Sequence, residues 1–118
     1  GIGNPDHVPL GIYSRQALTN LNLWHLLADK LAPFSNAQTV LTFVERGETK
    51  AGIVYKTDTY LNKKIKTIFK IPPRTHDKIH YWAALAQPVA RDAAQEFFSI
   101  LFNQTSKNVF KTHGFLVN

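Results

Sequence analysis

Apolar residues recur at helical spacing from the ninth residue onward. Leu10, Tyr13, Ala17, Leu18, Leu21 and Trp24 share one face of a helix beginning at Pro9. Proline suits the first helical position, because its missing N–H has no partner inside the helix. Before it, residues 1–3 read as the tail of a strand and Asn4-Pro5-Asp6 as a turn. Asn20 and Asn22 break the first helix. A second, shorter one carries Leu23, Leu26, Leu27 and Leu31 until Pro33. Ser35-Asn36-Ala37-Gln38 reads as a capping box, with Ser35 as the cap and Gln38 as its reciprocal partner. Ala37, Val40, Leu41 and Val44 then form one face of a third helix, and Gly47 is its left-handed stop.

The period changes after residue 50. The unbroken apolar run 51–55, Ala-Gly-Ile-Val-Tyr, predicts a short strand covered on both faces. Residues 65–71 alternate and end at Pro72-Pro73, and residues 79–86 give another strand candidate. An amphipathic helix over 89–102 places Val89, Ala93, Phe97, Ile100 and Leu101 at apolar positions. A last helix covers 105–112, with Gly114 as its stop and Phe115 folding back. Helices alternating with short buried strands predict an α/β sandwich, where ligands sit beyond the carboxyl ends of strands.

Length and composition narrow this picture. A chain of 118 residues supports one modest core, and 44% hydrophobic with 19% charged residues is an ordinary globular balance. The formal charge of +6 favours an anionic partner. Of the Lys and Arg residues, only Lys63, Lys64 and Lys66 cluster, with Tyr60 as their aromatic neighbour; a solvated loop or strand edge explains them better than a nucleic-acid surface. Without cysteine there is no zinc ribbon, thiol catalysis or disulfide framework. No apolar run reaches the length of a membrane span and no signal peptide is visible. The start on Gly1, with no Met in the chain, predicts a piece cut from a longer precursor.

Candidate chemistry lies at two helix starts and one tyrosine. With Ser35 serving the amide of Gln38, the amides of Asn36 and Ala37 stay free. At the first helix Pro9 has no amide, and those of Leu10 and Gly11 are free. Such groups, with the helix dipole, can hold an anion or simply bind water. Tyr55 ends the apolar run, where its hydroxyl can donate to a ligand oxygen or, as a half-buried core tyrosine, reach water. His76 and His80 have metal-ligand spacing but flank a predicted strand start with no third ligand, so a surface role is expected. His7 beside Asp6 reads as a turn, His25 as an exposed helical residue, and Asp58 as a cap for the turn after the strand. No triad order, carboxylate pair or phosphate loop stands out, so neither catalytic nor metal-ligating residues are assigned and no cofactor is expected.

Several stretches taken together resemble a known family. Gly3-Asn4-Pro5-Asp6-His7-Val8-Pro9-Leu10-Gly11-Ile12-Tyr13, then Leu41-Thr42-Phe43-Val44-Glu45-Arg46-Gly47-Glu48, then Ala51-Gly52-Ile53-Val54-Tyr55-Lys56-Thr57-Asp58, and finally Phe110-Lys111-Thr112-His113-Gly114-Phe115 resemble, in order and spacing, the periplasmic molybdate-binding proteins. That family supplies the substrate-binding subunit of molybdate ABC transporters.

The resemblance implies a non-enzymatic chain with part of a type II periplasmic binding protein fold. Residues 1–86 would be the second, three-layer α/β lobe, and 87–118 C-terminal helices that return to a first lobe preceding Gly1. It implies a molybdate or tungstate ligand held by the amides of Leu10 and Ala37 and the hydroxyl of Tyr55. Leu10 stands in place of the family's usual alanine, and Ala37 where valine is frequent. The implied partners are the membrane permease and the missing N-terminal lobe, with no nucleic acid; the implied location is the periplasm, with a signal peptide upstream of Gly1. Without the first lobe, Val89, Ala93, Phe97, Phe98, Ile100, Leu101, Val109 and Phe110 would be partly exposed, which predicts a homodimer through the C-terminal helices. The alternative is the molybdate-sensing ligand domain of a transcriptional regulator.

Overall fold

The computed structural model describes residues 1–60, 62–86 and 92–117, and contains helices and a small parallel sheet. Two compact units divide the chain, Gly1–Lys78 and Ile79–Asn118.

The first unit is built around a two-residue strand. Strand β1 (Ile2–Gly3) pairs in parallel with β2 (Pro33–Phe34), Ile2 opposite Pro33 and Gly3 opposite Phe34. The amide of Ile2 donates to Ala32 O at 3.0 Å and that of Asn4 to Phe34 O at 2.8 Å. On the other side, the Gly1 nitrogen donates to Ala51 O at 2.7 Å and the amide of Ile53 to Gly1 O at 3.0 Å. These two bonds have the form of a parallel pairing centred on Gly52. The run 51–55 is thus extended beside β1, as its composition predicts, although one such pair is too short a ladder to make it a regular strand.

Helix α1 (Pro9–Asn20) and helix α3 (Ala37–Glu45) both pack on β1. Between them lie a single turn, α2 (Trp24–Leu27), and a 3₁₀ turn, Ala28–Lys30. Of the two asparagines expected to break the first helix, Asn20 is its last residue and Asn22 has a left-handed φ of 58°, which asparagine tolerates better than most residues. Buried Ile2, Val8, Leu10, Ala17, Leu18, Val40 and Leu41 form the apolar core. Each large aliphatic among them contributes about 1.5–3 kcal/mol by leaving water. α1 approaches β1 so closely that a Cβ on Gly11 would overlap the carbonyl oxygens of Gly3 and Asn4. Helix α3 ends as its glycine predicts. Gly47 has φ 73°, its amide donates to Val44 O at 3.0 Å, and Glu48 N donates to Phe43 O at 3.0 Å. This six-to-one and five-to-two pair is a Schellman motif.

Past the run 51–55 comes one turn of helix, α4 (Lys56–Thr59). The strand expected over 65–71 is not formed, and Ile68 and Phe69 are 80% and 64% exposed. Alternation marks a chain that could pair, but a strand exists only with a neighbour's backbone to bond, and among the described residues none is offered. The same holds for 79–86. Residues 75–77 are fastened to α1 by side chains instead. Gln16 donates to Asp77 Oδ2 at 2.7 Å and accepts from the Asp77 amide at 3.0 Å, while Asn20 donates to Thr75 O at 2.9 Å.

The second unit contains helices α5 (Asp92–Leu101) and α6 (Gln104–Thr112). The expected start of α5, with Val89, lies outside the described residues. α6 is capped by Asn103, whose side chain accepts from Ser106 N at 2.8 Å. It ends in a second Schellman motif. Phe115 N donates to Phe110 O and Gly114 N to Lys111 O, both at 3.0 Å, and the Phe110 and Phe115 rings meet edge-on at 6.0 Å.

Gly11→Ala is expected to lower the unfolding free energy by about 1–3 kcal/mol, because neither carbonyl can move without breaking the β1 contacts. A urea midpoint equal to the parent's would show that the helix can retreat from the strand.

Candidate anion-binding site

The three residues singled out from the sequence fall at equivalent places in the first unit. β2, β1 and the extended run 51–55 lie side by side in that order and run in one direction. Leu10 follows β1 through the loop 4–8, Ala37 follows β2, and Tyr55 ends the third segment. All three therefore stand beyond the carboxyl ends of neighbouring parallel segments, where helices begin and open α/β sheets gather ligands. They also meet in the core: Val8, Leu10 and Val40 form a buried cluster, and Phe34, Ala37, Ile53, Val54 and Tyr55 pack against it.

The helix starts differ in how their amides are served. At α1 the N-cap is Val8, with φ −94° and ψ 124°, and no side chain caps the helix. A valine has no acceptor to offer, so the first-turn amides face no side-chain competitor. The entering chain is fixed instead by Asn4, whose Oδ1 accepts from Asp6 N and whose carbonyl accepts from Val8 N, both at 2.9 Å. Leu10 is 3% exposed, and its carbonyl accepts from the buried Ser14 hydroxyl at 2.6 Å. This back-bond from Ser14 left no signal in the sequence beyond a serine at i+4.

At α3 the cap is Asn36, not Ser35. The Asn36 side chain accepts from Thr39 N at 2.8 Å and from Thr39 Oγ1 at 2.9 Å. Serine and asparagine cap equally well, so local chemistry could not choose the frame; the backbone of Asn36, φ −164° and ψ 170°, does. Moving the frame by one residue puts Gln38 at the second helical position, where it cannot close a capping box. Ala37 becomes the first helical residue, and the cap serves Thr39 rather than the amides of Ala37 and Gln38.

Tyr55 is the N-cap of α4, with φ −71° and ψ 145°. Asp58 lies three residues on, and its amide donates to Tyr55 O at 3.1 Å. Burial raises the Asp58 carboxyl above its ordinary pKa, opposed by a hydrogen bond from the Tyr55 backbone. Its Oδ2 is buried with no partner. Beyond α4, Asn62 donates from its side chain to Glu45 at the end of α3. One open depression of about 490 Å³ is lined by Gln38, Leu41, Glu45, Asp58, Asn62, Lys63 and Lys64. Another of about 430 Å³ is lined by Pro5, Ile12, Arg15, Gln16, Thr19 and Asn20. Leu10, Ala37 and Tyr55 line neither.

The histidines do not assemble a metal site. His76 Nδ1 lies 2.7 Å from Asp77 O, and its ring leans on Tyr13 at 5.9 Å; His80 neighbours Trp82 at 5.9 Å. Among the described residues no group of three or more His, Asp or Glu could hold a metal. Likewise, no helix among them is long and apolar enough to cross a membrane.

Residues 1–116 match the family of bacterial extracellular solute-binding proteins. The chain belongs to that family. The chain is 34% identical to the molybdate-binding protein ModA of Escherichia coli over 116 residues, 98% of this chain and 45% of that protein. It is 35% identical to a Bacillus subtilis protein described as an ABC transporter substrate-binding lipoprotein, YvgL, over 97% of this chain and 44% of that one. Among solved structures it resembles one from Clostridium difficile described as the substrate-binding domain of a molybdenum ABC transporter. The TM-score there is 0.70 at 33% identity, covering 95% of this chain and 49% of that one. The chain therefore spans less than half the length of the curated relatives it matches. Its mixed α/β architecture is theirs in part, and its family is one that binds solutes rather than transforming them.

Removing the α3 cap with Asn36→Ala should cost about 1 kcal/mol of stability, while Asn36→Ser should keep most of it. Equal urea midpoints for the parent and the alanine variant would return the cap to Ser35.

Proposed function

We propose that the protein containing this chain binds molybdate, and tungstate with it, as the solute-binding component of an ABC uptake transporter. The amides of Leu10 and Ala37 and the hydroxyl of Tyr55 hold the anion. One observation carries the reading: these three residues stand beyond the ends of three adjacent parallel segments around one apolar cluster, in a chain similar to molybdate-binding proteins. Neutral donors suit a divalent oxyanion. Several fixed dipoles can stabilise its charge without a buried countercharge, and α1 and α3 each add a positive helix end. A fixed ring of donors also selects by size, since it cannot follow the shorter bonds of sulfate. The charge of +6 steers anions inward only over a Debye length of ~8 Å.

On the same reading, residues 1–86 belong to the second lobe, and residues 87–118 are helices that return to a first lobe lying outside this chain and supplying further donors. Neither α5 nor α6 has a buried residue among those described, and Phe97, Ile100 and Val109 are 62%, 44% and 52% exposed. Faces of that kind require cover. The proposed partners are the membrane permease and that first lobe, and the proposed location is the periplasm, consistent with an extracellular family and a lipoprotein relative.

Titration calorimetry of the full-length protein should show molybdate and tungstate binding far more tightly than sulfate or phosphate; equal affinity for sulfate rejects the size argument. Tyr55→Phe should weaken molybdate by about 1–3 kcal/mol, and an unchanged affinity removes Tyr55 from the site. Residues 1–118 prepared alone should associate through the faces of α5 and α6. A monomer by light scattering at high concentration contradicts that assignment.

A further inference from the structure

What keeps the three proposed donors apart is the packing beneath them, and one residue lies where that packing meets. Val40 is fully buried, at 0% exposure. It stands three residues after Ala37, one turn along the same side of α3. Its amide donates to Asn36 O at 3.3 Å, just ahead of Ala37. It shares one cluster with Val8 and Leu10 at the start of α1, and Ala37 and Tyr55 both pack against that cluster.

Glycines leave no slack at these contacts. A Cβ on Gly52 would come within 2.9 Å of Val40 Cγ1, and one on Gly1 within 3.4 Å of the same methyl. A single methyl on α3 therefore fills the space over the two other segments, the one that leads to α1 and the one that ends at Tyr55. At Gly3 a Cβ would come within 2.9 Å of Val8 Cγ1 and 3.2 Å of Leu10 Cβ. Side chains thus close on bare backbone, so their volume sets how far apart the three segments stand. Packing this tight registers a change of one methylene.

Selection by size needs donors that cannot draw together around a smaller anion. Resting on the reading that Leu10, Ala37 and Tyr55 hold the oxyanion, we propose that Val40 is a positioning residue that sets the size selectivity. Its side chain is the spacer that keeps the starts of α1, α3 and α4 too far apart to close on sulfate. Val40 itself touches no ligand and acts only through the separation of the donors.

Calorimetry of the full-length protein with molybdate and with sulfate tests this as a ratio of affinities. Partial unfolding lowers both apparent affinities by the same factor, so the ratio reports geometry and not stability. Val40→Ala removes the spacing methyls, and the preference for molybdate over sulfate should fall about tenfold, the size of one hydrogen bond made or lost. Val40→Ile adds a methylene to a filled core and should raise the preference about threefold. Leu18→Ala removes a buried side chain about two turns beyond Leu10 on α1; it should destabilise the fold yet leave the ratio within about twofold of the parent. The spacer role is overturned, and the oxyanion reading left standing, by any of three results: an unchanged ratio in Val40→Ala, a shift in the same direction in both Val40 variants, or an equal shift in Leu18→Ala. Should Val40→Ala fail to fold, Val40→Ile decides alone, and a ratio that does not rise rejects the spacer. If the unmutated protein binds sulfate as tightly as molybdate, the size argument of the reading falls first and the spacer falls with it.

Discussion

Backbone pairing at the first four residues is the constraint on which the first unit depends. Gly1 is bonded to the run 51–53 on one side, and Ile2 and Asn4 to residues 32–34 on the other. This short ladder brings together three stretches that lie far apart in the chain and runs them in the same direction. Direction is what matters. Parallel neighbours end at the same edge, so the segments after them must start there, and α1, α3 and α4 do. Side-chain burial by Val8, Leu10 and Val40 then holds that edge closed from below.

Two kinds of interaction divide the labour of the proposed site. Backbone amides at α1 and α3 are oriented by the helices themselves, and their accuracy depends on how the helices meet the strand. The close approach of Gly11 to Gly3 and Asn4 fixes one, and the Asn36 cap fixes the other. Tyr55 is different. Its donor sits at the end of a side chain on a one-turn helix that could not stand alone. It therefore relies on local ties, which include the bond from the Asp58 amide to Tyr55 O and the one from Asn62 to Glu45.

Much of this is legible in the chain. Pro9, Gly47 and Gly114 each mark a helix boundary because their effect is local: a missing amide, or a left-handed residue at no steric cost. The pattern of Ala37, Val40 and Leu41 gives the buried side of α3 for the same reason. The cap frame at Ser35 and Asn36 is not legible, since both side chains can accept the same kind of bond and only the extended backbone of Asn36 decides. The alternation in 65–71 misleads because pairing is a property of two segments, and one segment cannot report its partner. Asp58 reads as a loop residue capping the turn after the strand, but the structure places it inside α4, whose N-cap is Tyr55.

The Val8 cap has a consequence for how such a site can change over evolutionary time. A donor that belongs to the main chain is indifferent to the side chain that carries it, which is why a leucine can stand at position 10 without removing the group proposed to bind. Substitution among side chains that fill the same core volume leaves the donor in place as long as the helix start keeps its shape, and proline is the one encoded residue that would delete it outright. Recognition of this kind is inherited as geometry rather than as residue identity. A family can therefore vary its letters at the ligand while keeping the ligand.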